Sequence, residues 1–425
     1  MSTFKINLHE AIFSLSDALD LVTVNQTHHS KRVAYIATEC AKALNWSSQR
    51  LDDLFLAAIL HDCGISNTYI YSQLTHFEGT NVGNHCIKGA QLLAKIPLFA
   101  NLSEYILHHH TPWNEMLGQD LSYAVKIAAN CIYMADRVDI LVLNTLKTDA
   151  VILAGSEHIK RQIKAKKDHW FHPDLVDIFI KLSATEAFWL TLEKVHHSRN
   201  LSFCIANNST GEIDFEDLKS IVMLFSQIVD AKSIYTTNHS LGVANLSRYL
   251  GELSGLPERT CDMLELAGLL HDLGKLRIPD EILNKPGKLT AREYFIVQRH
   301  GFDSYDILKD IKGFEDIAKW VGQHHERVDG SGYPYHNDSR MLSIEANIIA
   351  VADVFQALSQ KRPYRDELSP DGTLSILQQQ KQQGKLDKDV VTMIANNLPE
   401  CWQWAKGAVP ADLTSVNSKR DFSPA

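Results

Sequence analysis

The seven cysteines of this chain include no Cys-x-x-Cys pair and lie scattered along its length. That excludes a zinc ribbon and does not form a disulfide framework, so a reduced compartment is expected. No apolar run approaches the roughly 18–20 residues of a membrane span. The opening Met1-Ser-Thr-Phe-Lys-Ile-Asn7 has no apolar leader core, which points to a cytoplasmic protein. Basic excess is missing too. A formal charge of −9 argues against a surface for DNA or RNA duplexes or for anionic membranes. It leaves room for an anionic ligand, because bound metal and a few arginines reverse the sign locally. Period-2 alternation, the mark of half-buried strands, is not evident.

What is present is helical. Leu218, Ile221, Val222, Phe225, Ile228 and Val229 recur at the i, i+3, i+4, i+7 spacing of one buried helix face. Leu8, Ala11, Ile12, Leu15, Ala18 and Leu19 repeat that stripe near the start. The similarity runs much further. Leu8/Leu218, Asp20/Asp230, His29/His239, His61/His271, Asp62/Asp272 and Gly64/Gly274 are all 210 residues apart. The offset becomes 215 for His85/His300, His109/His324 and His110/His325, and 217 for Asp136/Asp353. A register held this far and broken by two short insertions marks an internal duplication. The expectation is an all-α protein of two tandem helical domains, 1–204 and 205–425. The join falls near 200–214, where Ile205-Ala-Asn-Asn-Ser-Thr-Gly211 is polar and turn-rich. Pro286-Gly287 marks a loop, and residues 410–425 read as a loose tail.

The second copy gathers His239, His271, Asp272, His300, His324, His325 and Asp353. These are seven nitrogen or oxygen donors without a thiolate, a set suited to iron or manganese and compatible with nickel or zinc. Seven exceed the needs of one tetrahedral ion and fit two six-coordinate divalent ions sharing a carboxylate, a clamp for in-line phosphodiester cleavage. A lone histidine or His-Asp pair would carry little weight. Asp353 carries more, because Asn347-Ile-Ile-Ala-Val-Ala-Asp353-Val-Phe is strongly apolar, and a carboxylate there is costly unless paired or bound to metal.

With Gly332-Tyr333-Pro334 after the adjacent histidines, with His271-Asp-Leu-Gly-Lys275, and with Arg362-Pro-Tyr-Arg365, this half resembles the HD-GYP branch of the HD superfamily of metal-dependent phosphohydrolases. The resemblance implies a cyclic dinucleotide phosphodiesterase. His239, His271, His300, His324, His325 and Asp353 would be terminal ligands, and Asp272 would bridge the two ions. Lys275 would contact the scissile phosphate, and Tyr333, Arg362 and Arg365 would hold the dinucleotide. Some members are thought to add a third ion through a glutamate four residues before the first histidine. Tyr235 stands there, so two ions are expected.

The first copy keeps a full ligand set, His29, His61, Asp62, His85, His109, His110 and Asp136. It has Ile65 where the second has Lys275, Thr111-Pro-Trp-Asn-Glu-Met116 in place of the Gly-Tyr-Pro loop, and Arg137-Val-Asp-Ile after Asp136. Isoleucine removes a phosphate contact. This copy therefore reads as a regulatory, dimerising or differently specific domain, with a metal site still open to it and a homodimer compatible with it. The neighbouring His28 and His108 read as solvent residues. For the whole chain the expected substrate is cyclic di-GMP, with cyclic GMP-AMP as the alternative. A non-hydrolysing cyclic dinucleotide receptor and an HD nucleotidase acting on mononucleotides are the rivals. The intact Lys275 argues against the first and the Gly-Tyr-Pro loop against the second.

Overall fold

A computed structural model describes residues 3–22, 28–66, 77, 83–148, 151–194, 212–233, 238–360 and 367–406. Arg362, Arg365, Tyr235, most of the proposed join and the 410–425 tail lie outside them. The chain divides into two compact units, Lys5–Ile213 and Asp214–Ala425 with Met1–Phe4. The division falls a few residues beyond the expected 204/205 boundary.

Both units are built from helices. The stripe residues Ile221, Val222, Phe225 and Ile228 are fully buried on the helix Phe215–Asp230, and Ala11, Ile12, Leu15 and Ala18 on Leu8–Asp20. Asp214 caps the former by accepting from Asp217 N at 2.8 Å, and Asn7 caps the latter through His9 N and Glu10 N. Extended structure is slight among the described residues. Thr3–Lys5 pairs with Glu212–Asp214, and isolated bridges join Lys167 to Phe171 and Asp329 to Asp338. Three-residue strands are too short to show a period of two, so the sequence pattern does not reveal them. No helix among the described residues is long and apolar enough to cross a membrane.

The duplication extends to backbone detail. His29 opens the helix His29–Ala43 and His239 opens His239–Leu253. Each is preceded by a residue in the left-handed region, His28 at φ 65° and Asn238 at φ 64°. The next residue is then tied to the preceding helix. Ser30 Oγ donates to Asp20 at 3.2 Å, and Ser240 Oγ donates to Asp230 at 2.8 Å. His61 and His271 end the helices Ser48–Leu60 and Glu258–Leu270. His85 and His300 lie inside Gly83–Leu93 and Ala291–Leu308, and Asp136 and Asp353 inside Tyr123–Thr148 and Ile344–Leu358.

Gly64 and Gly274 hold the turn after each His-Asp pair against the next ligand helix. A Cβ there would lie 2.0 Å from His85 O in one unit and 2.2 Å from His300 O in the other. No side chain fits at such a separation without moving backbone. Gly274→Ala should therefore cost at least about 2 kcal/mol of unfolding free energy. Urea titration of the purified variant measures it, and an unchanged midpoint would contradict the close approach.

Candidate metal centre

In the second unit the seven donors come together from five helices. Asp272 sits at their middle and is buried. Its Oδ2 lies 3.1 Å from His271 Nε2 and 3.5 Å from His239 Nε2, and its Oδ1 lies 3.5 Å from His300 Nε2 and 4.0 Å from His324 Nε2. Asp353 Oδ1 is 3.3 Å from His239 Nε2, and its Oδ2 is 3.9 Å from His325 Nδ1. His300 Nε2 stands 3.2 Å from His324 Nε2 and 3.0 Å from His325 Nε2. Donors bonded at about 2.1 Å to one octahedral ion sit about 3 Å apart along each edge, so these separations are those of groups able to share ions.

The imidazoles are aimed by their own helices. His271 Nδ1 donates to Gly268 O at 2.8 Å, His300 Nδ1 to Val297 O at 2.5 Å, and His324 Nδ1 to Val321 O at 2.6 Å. Each acceptor is the carbonyl three residues earlier. The bond places the proton on Nδ1 and leaves the Nε2 lone pair facing inward, the arrangement that orients metal-binding histidines. His239 opens a helix and has no such carbonyl behind it. Its Nδ1 bonds instead to Gln356 Oε1, 117 residues away. His239 Nε2, His271 Nε2 and Asp272 Oδ1 are buried without any hydrogen-bond partner. Orphaned buried donors of this kind are costly, and divalent ions at the cluster centre satisfy all three. The residues therefore fit the expected cofactor.

Electrostatics separate the histidines into two groups. Burial holds His300 down to about 4 and His324 down to about 3, with His271 and His300 adding to the second. Burial opposes protonation of His239 as well, but Asp272 and Asp353 outweigh it and raise that group to about 9. Burial works against ionising Asp272, yet His271 and Lys275 hold it well below the usual carboxylate range.

Lys275, in the short 3-10 turn Leu273–Arg277, places Nζ 2.5 Å from Asp272 Oδ2. Tyr333 lies half-buried with its ring 4.8 Å from that of His325, and Tyr333 N bonds to His325 O at 3.3 Å. Its loop is held by a residue that sequence inspection passed over. Glu326 is buried and accepts from Tyr335 N at 2.7 Å and Asn337 N at 3.0 Å. Gly332 is required there, since a Cβ would lie 2.4 Å from Glu326 Cα. The Tyr333–Pro334 peptide is cis. Tyr294 and Gln356 were also missed. Tyr294 is nearly half exposed and meets Tyr333 edge-on at 6.3 Å. An ordinary tyrosine or glutamine in a helix carries no sequence signal of its own.

HD-domain family profiles match residues 223–390 and 27–141. A 3′3′-cGAMP-specific phosphodiesterase of Vibrio cholerae is 36% identical, covering 96% of this chain and 96% of that protein. A second from the same organism is 27% identical over 88% of this chain and 90% of its own length. A cyclic di-GMP phosphodiesterase of Thermotoga maritima is 35% identical over 36% of this chain and 42% of that protein. A crystal structure described as a V. cholerae cyclic GMP-AMP-specific phosphodiesterase superposes with a TM-score of 0.64 at 24% identity, over 97% of this chain and 100% of the other. It agrees with the tandem all-α fold. The chain belongs to the HD-domain family, in its HD-GYP branch.

The first HD domain brings its own seven donors together. His29 Nε2 lies 3.5 Å from Asp136 Oδ1 and 3.7 Å from Asp62 Oδ2, and His61 Nε2 lies 3.3 Å from Asp62 Oδ2. His85 Nε2 is 3.6 Å from Asp62 Oδ1 and 3.3 Å from His109 Nε2, and His110 Nδ1 is 3.8 Å from Asp136 Oδ2. His61 and His109 again donate Nδ1 to carbonyls three residues back, Ala58 O and Ile106 O. The surroundings differ from the second HD domain. Ile65 is buried where Lys275 stands. Arg137 donates to Asp136 Oδ2 at 2.7 Å, and Asp139, the counterpart of Gln356, holds His29 Nδ1 at 2.7 Å while accepting from Arg32 Nε at 2.6 Å. Cys86 Sγ lies 3.6 Å from His85 Nε2. His28, expected in solvent, is half-buried with Nδ1 3.2 Å from Asp17. His108 is half-buried as well. Asp17, on the preceding helix, is the partner that holds the His28 ring.

Two outcomes test this geometry. Gln356→Ala should lower metal affinity of the second HD domain by about 10–100-fold, because His239 loses the partner that orients it; chelator competition measures that. Unfolded histidine titrates near 6.5, so below that pH the unfolded chain binds protons that His300 and His324 refuse until about 4 and about 3. His239, raised to about 9, is protonated in both states there and adds no slope. Stability of the chelated protein should thus fall as pH drops from 6.5 toward 4. His300→Ala/His324→Ala should flatten that slope by up to about two proton equivalents, read by urea unfolding across the range.

Proposed function

We propose that the second HD domain hydrolyses one 3′–5′ phosphodiester of a 3′,3′-cyclic dinucleotide and releases the linear dinucleotide. The observation that carries this reading is the placing of Lys275 Nζ 2.5 Å from Asp272 Oδ2 in a cluster that Tyr333 borders through His325. His239, His271, His300, His324, His325 and Asp353 would hold two divalent ions with Asp272 between them, iron or manganese suiting the donor set best. Such ions supply Lewis-acid polarisation of a phosphoryl oxygen and a water acidified to the neutral range.

The chain's own residues do the rest. The pinned Nδ1–H groups keep the imidazole Nε2 atoms fixed, so little reorganisation accompanies reaction. Lys275 is half-buried and already faces the cluster. Its ammonium can pass from Asp272 to a phosphate oxygen and stabilise the charge that develops there. The loop locked by Glu326 sets Tyr333 against one flank of the site. Arg362 and Arg365 are assigned to the dinucleotide phosphates or bases, where a planar guanidinium can pair or stack.

Two substrates share this chemistry. Cyclic GMP-AMP is favoured by the end-to-end match with a relative named for it. Cyclic di-GMP is favoured by relatives that match about a third of the chain. Both nucleotides, mixed at equal concentration, should be offered to protein purified without oxygen and with its metals counted. The faster loss names the substrate. His271→Ala/Asp272→Ala should reduce it by at least about 10³-fold. Lys275→Ala should lower kcat by about 10²–10³-fold while two ions stay bound. If neither nucleotide turns over with two ions in the second HD domain, the receptor reading replaces this one.

A further inference from the structure

Cys86 follows His85 in the helix Gly83–Leu93 and is buried. Its Sγ stands 3.6 Å from His85 Nε2, and His85 Nε2 stands 3.3 Å from His109 Nε2. One donor atom from each of these three residues lies within 4.8 Å of the other two. A tetrahedral ion bonded to imidazole at about 2.0–2.1 Å and to thiolate at about 2.3 Å sets N···N near 3.3 Å and N···S near 3.6 Å. Both separations are already present. Asp62 Oδ1, 3.6 Å from His85 Nε2, is placed to give a fourth donor.

We infer that Cys86, His85 and His109 bind a thiophilic divalent ion such as zinc in the first HD domain, with Asp62 completing the tetrahedron. The second HD domain has Gly301 at the position of Cys86. A Cβ at 301 would lie 3.8 Å from Pro334 Cδ and 3.9 Å from His324 Cε1. The first domain, which has no Gly-Tyr-Pro loop, carries a thiol at this position.

Charge agrees with this assignment. Asp62 and a Cys86 thiolate together neutralise one divalent ion in a buried setting. Arg137 already compensates Asp136, and Arg32 compensates Asp139, so the neighbouring His29, His61 and Asp136 group faces a cation where the second domain has Val354. On binding, the thiol proton is released to solvent as the metal–sulfur bond forms. Four protein donors leave no open position for water, which makes this a closed site rather than a hydrolytic one.

The test uses the full chain carrying His271→Ala/Asp272→Ala/His300→Ala/His324→Ala, which removes four of the seven donors of the second cluster and makes the result independent of the proposed activity. Metal is stripped and cobalt(II) chloride added. About one cobalt per chain should bind with a near-ultraviolet sulfur-to-cobalt charge-transfer band. Cys86→Ser should abolish the band and weaken zinc binding by at least about tenfold. Cys86→Gly, which installs the second domain's own residue, should do the same if the serine variant fails to fold. Cys63→Ser, altering the other buried thiol beside Asp62, should leave the band. Cobalt bound with no sulfur band, a band that survives both Cys86 variants, or no retained cobalt would each overturn the inference.

Discussion

A buried carboxylate surrounded by imidazole nitrogens is the constraint around which each half of this protein is arranged. Asp272 in one domain and Asp62 in the other are buried where donor-bearing helices converge. A bare carboxylate in that position is untenable, and so is a ring of imidazoles with inward lone pairs. Cations between them would answer both problems, and only if each ring is held in one orientation. Helix termini supply the means. The last turn of a helix leaves carbonyl oxygens without intrahelical partners, and a histidine just past that turn donates Nδ1–H to one of them. His61, His109, His271 and His324 all use this device. One bond thus satisfies the helix end, fixes the tautomer and directs Nε2 inward.

From that shared plan the two halves diverge through a few substitutions that act in concert. In the second domain Lys275 brings positive charge to Asp272, and Glu326 ties the Gly-Tyr-Pro loop against His325. In the first domain Ile65 removes that charge. Arg137 introduces another on a different carboxylate, and a thiol stands where the second domain keeps glycine. The consequence is a change in the kind of site, not merely a weakening of it. An oxygen-and-nitrogen cluster with a cation at its edge suits exchangeable water and phosphate. A cluster with a thiol at its edge and arginines on its outer carboxylates suits a fixed ion.

Much of this was legible in the chain. Helical periodicity is local, so the stripes on Leu8–Asp20 and Phe215–Asp230 could be read directly, and a duplicated register doubled the weight of every histidine in it. The fourteen candidate donors do converge, seven in each unit. Substrate contacts were less accessible. Tyr333 is placed beside the cluster, whereas Arg362 and Arg365 lie outside the described residues. The brief strands escaped notice because three residues cannot display a period.

The sequence alone determined the all-α class, the doubling of the framework and the inventory of candidate donor side chains, because each depends on neighbours within a helical turn or on repetition along the chain. Only the tertiary structure decided which groups aim and tune those side chains. Gln356 reaches His239 across 117 residues, Asp139 couples His29 to Arg32, and Cys86 faces His109 across the site. Such pairings come from the packing of separate helices. Until the helices dock, a glutamine, an arginine or a cysteine gives no sign of which buried atom it will meet.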